Sequence, residues 1–244
     1  FSPPYTGVNF IAPQRTIEGL EACGINVVSL ANNHSTNFGT QAFEDTLGLL
    51  AAHSITYVGG GMNAQEAYAP RLIDIGGYRL AFLSYNAISG SINASEKRPG
   101  VAWFDMQPYA ADDPEDLAAM QDAVVRAGME SDFMIVGFHW SHEYIQAPSS
   151  SQVNAAHAAC EAGADMVIGG HPHIIQPIEY YKGSFIAYSR ALTEDWRLIA
   201  LDSSVDGSAL RAQYEWLERL FAEAVKAPAR TPGCLLVMWH APLY

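Results

Sequence analysis

At 244 residues, 49% of them apolar and 16% charged, the chain is long and apolar enough to bury a sizeable core, as one large domain or two small ones, and a disordered chain is excluded. Its 13 basic residues against 26 acidic ones leave a formal net charge of −13, which repels a phosphate backbone; nucleic acid is therefore excluded as a partner, while cation binding stays open. Three scattered cysteines, Cys23, Cys160 and Cys234, form no CxxC pair, so neither a disulfide framework nor a thiolate zinc site is indicated, and all three are expected to be buried as small hydrophobes.

No stretch reaches the ~20 apolar residues of a membrane span, and no charged-then-apolar leader opens the chain. The chain reads as soluble. It starts at Phe1 and stops at "WHAPLY", which suggests a fragment or trimmed product.

In chain order, short β-rich runs alternate with amphipathic stretches, the pattern of an α/β domain. The strand candidates are "INVVSLA", "ITYVGG", "RLIDIGGYRLAFLSY", "DFMIVGFHW", "DMVIGG", "IEYYKGSFIAYS", "WRLIALDS" and "CLLVMWHA". Hairpin turns are expected at Gly76-Gly77 and at Lys182-Gly183, which makes the sheet pairing mixed. Phe43, Leu47 and Leu50 share one helix face; Leu117, Met120 and Val124 share another, on a helix that Asp113 can cap with Pro114 in its first turn. Val153, His157 and Cys160 repeat the spacing before Gly163, and "LRAQYEWLERLFAEAVKA" is a last helix candidate. "NAISGSINASEKRPG", residues 86–100, reads as a long loop.

Three clusters place metal-capable side chains at the carboxyl end of an apolar strand. "VVSLANNH" delivers Asn32, Asn33 and His34; "MIVGFHWSHEY" delivers His139, His142 and Glu143; "MVIGGHPH" delivers His171 and His173. Ligands in open α/β sheets bind beyond strand ends, so the three ends can converge. Neutral imidazoles with an amide carbonyl suit a mixed nitrogen and oxygen site for Zn, Mn or Fe. In "HPH" the two imidazoles are expected to point the same way from an extended segment, with Pro172 keeping His171 out of helical conformation. His53 and His157 lack this context and read as structural, and Asn32 and His142 are open either way.

"GVNFIAPQRTIEGLEACGINVVSLANNHSTNFGTQAFEDTL", "ITYVGGGMNAQEA", "HWSHEY" and "GGHPHIIQPIEYYKGSFIAYS" together resemble the bacterial capsule-synthesis CapA-type (poly-γ-glutamate biosynthesis) proteins of the calcineurin-like metallophosphoesterase superfamily, over roughly residues 8–189. The resemblance implies a four-layer α/β/β/α sandwich with mixed sheets. It implies Asn33, His139, His171 and His173 as metal ligands and His34 facing the scissile phosphate as the catalytic histidine, and Glu143 matches a glutamate that recurs in the capsule branch. Glu143, together with His142 and Asn32 from the strand-end clusters, stands as a candidate supporting residue. The implied cofactor is one or two divalent ions of Mn, Zn or Fe, and the implied partners are a phosphoester or anionic polymer substrate and capsule-synthesis membrane proteins, at the cell surface.

The family's opening Gly-Asp strand and its second acidic motif would lie before "GVNF", so the sandwich is expected to lack its N-terminal strands and the site its acidic half, leaving one weakly held cation or none. Ser141 stands where the capsule family has the glycine of "HWG". Residues 196–244 resemble instead a purple-acid-phosphatase-type segment, whose histidine would make His240 an alternative ligand in the role given to His139. Residues 1–190 are accordingly expected as the capsule-type domain and 191–244 as a segment packed on the same fold or part of a fusion. Hydrolysis is the leading expectation; a non-catalytic accessory role in polymer synthesis, export or anchoring is the alternative.

Overall fold

A computed structural model describes residues 9–75 and 77–189, together with strands at 198–201 and 236–239. The chain is a mixed α/β fold. Helix α1 (Thr16–Ala22) leads into β1 (Val27–Ser29), α2 (Gly39–Ala52), β2 (Thr56–Val58), β3 (Gly60–Gly61), α3 (Ala64–Ala67), β4 (Arg71–Ile75) and β5 (Tyr78–Asn86). Then follow β6 (Gly100–Val101), α4 (Pro114–Gly128), β7 (Phe133–His139), α5 (Ser150–Ala162), β8 (Met166–Gly170), β9 (Ile178–Tyr181), β10 (Ser184–Ala187), β11 (Leu198–Leu201) and β12 (Leu236–Trp239). Each expected strand run holds a strand. The short α1, α3 and β6 fall outside the expected runs, because a helix of seven residues or fewer makes too few turns to show its 3.6-residue period and β6 is only two residues long.

Among the described residues, the larger sheet has six strands in the order β4-β5-β7-β8-β10-β9, the smaller has four in the order β11-β12-β1-β2, and β3 pairs with β6 in a separate two-stranded ribbon. Within the larger sheet, pairing is parallel at β5-β7, β7-β8 and β8-β10, and antiparallel in the hairpins β4-β5 and β9-β10 at the two edges. Both hairpins turn where expected, with Ile75 opposite Tyr78 and Tyr181 opposite Ser184. At the second turn Lys182 (φ 51°) and Gly183 (φ 95°) are both left-handed, as a two-residue type I′ connection requires.

Alternation along the central strands sorts the core. One face of β5, β7 and β8 sends Leu80, Phe82, Ile135 and Ile168 against Val27 and Val58 of the smaller sheet. The opposite face sends Leu83, Tyr85, Val136, Phe138 and Val167 against Met120 and Val124 of α4 and Ala156 and Ala159 of α5. On the far side of the smaller sheet, Ile17 and Leu20 of α1 and Phe43, Leu47 and Leu50 of α2 pack with Val28. A Ser29–Ser84 hydroxyl pair at 2.7 Å ties β1 to β5 within the layer between the sheets.

The helices start where side chains supply acceptors. The Asp113 carboxylate accepts from the Glu115 N–H at 2.7 Å and Pro114 occupies the first turn of α4, as expected. Ser149 and Gln152 form a capping box at α5, and Gly163 (φ 112°) closes that helix. Of the cysteines, Cys160 is buried and Cys23 only half-buried; Cys234 and the helix candidate at 210–227 lie outside the described residues.

Candidate metal centre

The site is built where β1, β7 and β8 end. Parallel register sets Phe138 opposite Gly169 and His139 opposite Gly170, so the chain leaving β8 delivers His171 beside His139. Their ring centroids are 4.9 Å apart, and both residues are buried. Gly169 lets the end of β8 lie against its neighbours: a Cβ there would collide with the Tyr188 carbonyl and the Trp140 indole, which are themselves joined by a Trp140 Nε1–H to Tyr188 O bond of 3.0 Å.

The "HPH" segment is not extended. His171 has φ 91° and His173 has φ 54°, so the chain bends through left-handed conformations on both sides of Pro172. Pro172 excludes right-handed helical conformation at His171 as expected, but the escape is into the left-handed region and not into a strand. The two rings still come together, at 5.3 Å between centroids and 58° between planes. Such backbone costs of order 1–3 kcal/mol per residue and concentrates at ligand clamps.

Glu143 reaches the same spot from the loop after β7. Its Oε1 lies 3.6 Å from His173 Nε2, with the imidazole side chain 2% exposed and the carboxylate side chain 51% exposed. Ligand atoms of Glu143, His171 and His173 all lie within 4.8 Å of one another. Two imidazoles and a carboxylate at that spacing fit a Zn-, Mn- or Fe-type divalent ion after a closure of about half an ångström, since bonds of ~2.1 Å put two ligand atoms at most ~4.2 Å apart.

Asn33 arrives from β1. His139 Nε2–H donates to Asn33 Oδ1 at 2.9 Å, which binds the first strand end to the second. His34 next to it is held by a 2.9 Å bond from its Nδ1–H to Asn37 Oδ1, with Phe10 edge-on to its ring at 4.5 Å. Burial pushes the His34 imidazole below its ordinary 6.5; the Asn37 bond pulls it up, His173 pulls it further down, and Glu143 raises it again.

The remaining candidates are placed elsewhere. Asn32 is buried and its Oδ1 accepts from the His34 N–H at 2.8 Å, so it shapes the turn that carries Asn33 and His34. His142 is exposed and sits against Tyr109, 5.8 Å between ring centroids, outside the Glu143–His171–His173 group. His240 lies outside the described residues. His53 pairs with Glu21 at 2.8 Å, and His157 pairs with Glu179 at 3.0 Å while stacking on Tyr181.

Ser141 has φ 72°, a left-handed conformation that a glycine adopts without strain. Asn37, Phe10, Gln152 and Gln176 were not singled out in sequence. Asn37 lies three residues beyond His34, a spacing that suits a local side-chain bond, whereas isolated glutamines offer no such cue.

An α/β chain with imidazole, amide and carboxylate ligands converging beyond its strand ends is a candidate metal-binding protein of the strand-edge kind. The family described as bacterial capsule synthesis protein PGA_cap matches residues 2–190, and the chain belongs to that family. It is 33% identical over 178 residues to the PGA biosynthesis protein CapA of Bacillus subtilis, a match covering 72% of this chain and 44% of that protein. It is 35% identical over 177 residues to a Mycobacterium tuberculosis protein named "Probable polyglutamine synthesis accessory protein", covering 70% of this chain and 46% of that one. The chain thus spans less than half the length of these relatives. Among solved structures, a hypothetical protein from Thermus thermophilus is similar with a TM-score of 0.49 at 18% identity, over 74% of this chain and 59% of that one.

Proposed function

We propose that this chain is a metal-dependent, phosphoesterase-like hydrolase serving capsule or poly-γ-glutamate synthesis at the cell surface. The observation that carries the reading is the convergence of Glu143, His171 and His173 ligand atoms within 4.8 Å. Asn33 and His139, joined at 2.9 Å, extend that ligand set on the His171 side. A bound divalent ion of the Zn, Mn or Fe kind, one or two in number, would supply Lewis-acid polarisation of a phosphoryl oxygen.

The chain's own residues do the rest. His34, its Nδ1 proton fixed on Asn37, is uncharged at neutral pH because burial disfavours the cation. An entering anionic group raises its pKa, so substrate binding itself loads the proton that a leaving oxygen needs. With a net charge of −13, a cation held at such a site offsets the repulsion that the protein as a whole exerts on an anionic polymer.

The three apolar clusters support an α/β/β/α layering, with helices outside each sheet and Val27, Val58, Ile135 and Ile168 between them. Strands β11 and β12 extend the smaller sheet beside β1, which supports reading 191–244 as packed on the same fold. The names of the relatives supply the polymer context; the cell-surface location and capsule-synthesis membrane proteins as partners belong to the proposal. No helix of the described residues is long and apolar enough to cross a membrane.

The test is hydrolysis of a generic phosphodiester with Mn or Zn added, alongside titration calorimetry, for the native protein and His171→Ala. Metal-dependent turnover that disappears in the variant is expected. Turnover that survives His171→Ala, or absence of metal binding, defeats the reading. The word "accessory" in the mycobacterial relative's name favours a second reading, a non-catalytic metal-bridged polymer binder, which predicts metal binding without turnover.

A further inference from the structure

We propose that Gln176, backed by Gln152, is a positioning residue that sets Glu143 against His171 and His173. The inference rests on the metal-site reading above and concerns how that site is held together.

Two loops carry the group, one after β7 with Glu143 and one after β8 with the two histidines. They are stapled at two points. The Tyr144 N–H donates to the Pro172 carbonyl at 2.8 Å, so the residue after Glu143 is tied to the residue between the histidines. Gln176 Nε2 donates to the Ile145 carbonyl at 2.9 Å, tying a position three residues after His173 to one two residues after Glu143.

Gln176 is itself fixed from behind. Its Oε1 accepts from Gln152 Nε2 at 3.1 Å, and its N–H donates to the Ser189 carbonyl at 3.1 Å. Gln152 Oε1 accepts from the Ser149 N–H at 2.9 Å within the α5 capping box. A continuous line of bonds therefore runs from the α5 N-terminus through two amides to the Glu143 loop. Gln152 is 0% and Gln176 1% exposed.

Buried amides bonded through both oxygen and nitrogen resist displacement, because a shift strands a donor or acceptor away from water. The loop they hold has little else to fix it: residues 142–147 are all exposed. Glu143 is half-exposed, so its approach to His173 at 3.6 Å depends on the backbone under it. Groups that orient metal ligands from behind are typically worth about 10–100-fold in metal affinity.

Cobalt(II) serves as the probe, because its visible absorption reports ligand geometry independently of activity. Gln176→Met removes both side-chain bonds at nearly constant shape; Gln176→Glu keeps an acceptor for Gln152 and loses the donor to Ile145. Met120→Ala, in the core between α4 and the sheet, is the control for plain destabilisation. Both Gln176 variants are expected to bind cobalt about tenfold more weakly with an altered spectrum. The control should keep affinity and spectrum at similar loss of stability.

The proposal is overturned if the Gln176 variants keep native affinity and spectrum, or lose binding only in proportion to their unfolded fraction by circular dichroism. Failure of the underlying site reading looks different: His171→Ala then binds cobalt as the native protein does.

Discussion

Asn33 and His139 lie 106 residues apart in sequence and meet side chain to side chain at 2.9 Å. Because one follows β1 and the other ends β7, this single bond joins the two sheets at the ligand edge. Asn33→Leu is expected to weaken divalent-ion binding about 10–100-fold while leaving the fold cooperative, as loss of a ligand or of its orienting partner does. Calorimetric titration with Mn or Zn checks this, and an unchanged affinity would place Asn33 outside the site.

Metal binding to the native state also stabilises it. At a free ion concentration 100 times Kd the gain is about 2.7 kcal/mol, which appears as a rise in Tm. His171→Ala and His173→Ala should each abolish that rise. His142→Ala should leave it intact, because His142 packs on Tyr109 outside the ligand group.

Ser141 offers a gain of stability. With φ at 72° its side chain strains the backbone, and Ser141→Gly is expected to raise unfolding stability by about 0.5–1 kcal/mol, partly offset by the freer unfolded chain. Urea denaturation measures the change, and a loss would show that the serine side chain supplies contacts outweighing the strain. Gly169→Ala is the opposite case: the added methyl has no room between Tyr188 and Trp140, and a loss of about 3 kcal/mol or more is expected in the same assay.

Acid should loosen the β9-β10 hairpin from α5. Glu179 accepts from Tyr188 Oη–H at 2.7 Å and from His157 at 3.0 Å, and the Tyr188 bond is the main cause holding its carboxyl below the ordinary 4.5. A carboxyl whose folded pKa is depressed contributes stability that is fully present above its unfolded pKa and is lost as pH falls through the folded one. Native stability should therefore decline below about pH 4.5, and Glu179→Gln should flatten that decline. Urea midpoints measured from about pH 6 down to about pH 3 show it; an unchanged slope in the variant would assign the acid loss to other carboxylates.

Local chemistry was legible along the chain. Asp113 before Pro114 announced the start of α4, and the two glycine-bearing turns announced both edge hairpins, because caps and tight turns are decided by a few adjacent residues. Histidines following apolar runs marked strand ends from sequence. Their meeting could not be read there, since the His139–His171 approach follows from the β7-β8 register and the Asn33–His139 bond from packing one sheet on another.

Sequence by itself thus determined the alternating α/β order, the apolar faces and which side chains can bind a metal. Only the tertiary structure decided the rest. It set the left-handed bend at His171 and His173 where an extended segment was expected, the placement of His142 against Tyr109, and the Gln152–Gln176–Ile145 line beneath the Glu143 loop. The physical reason is range: propensity and periodicity act over a turn or a strand, whereas register and burial between distant segments are fixed by the packing of the whole core.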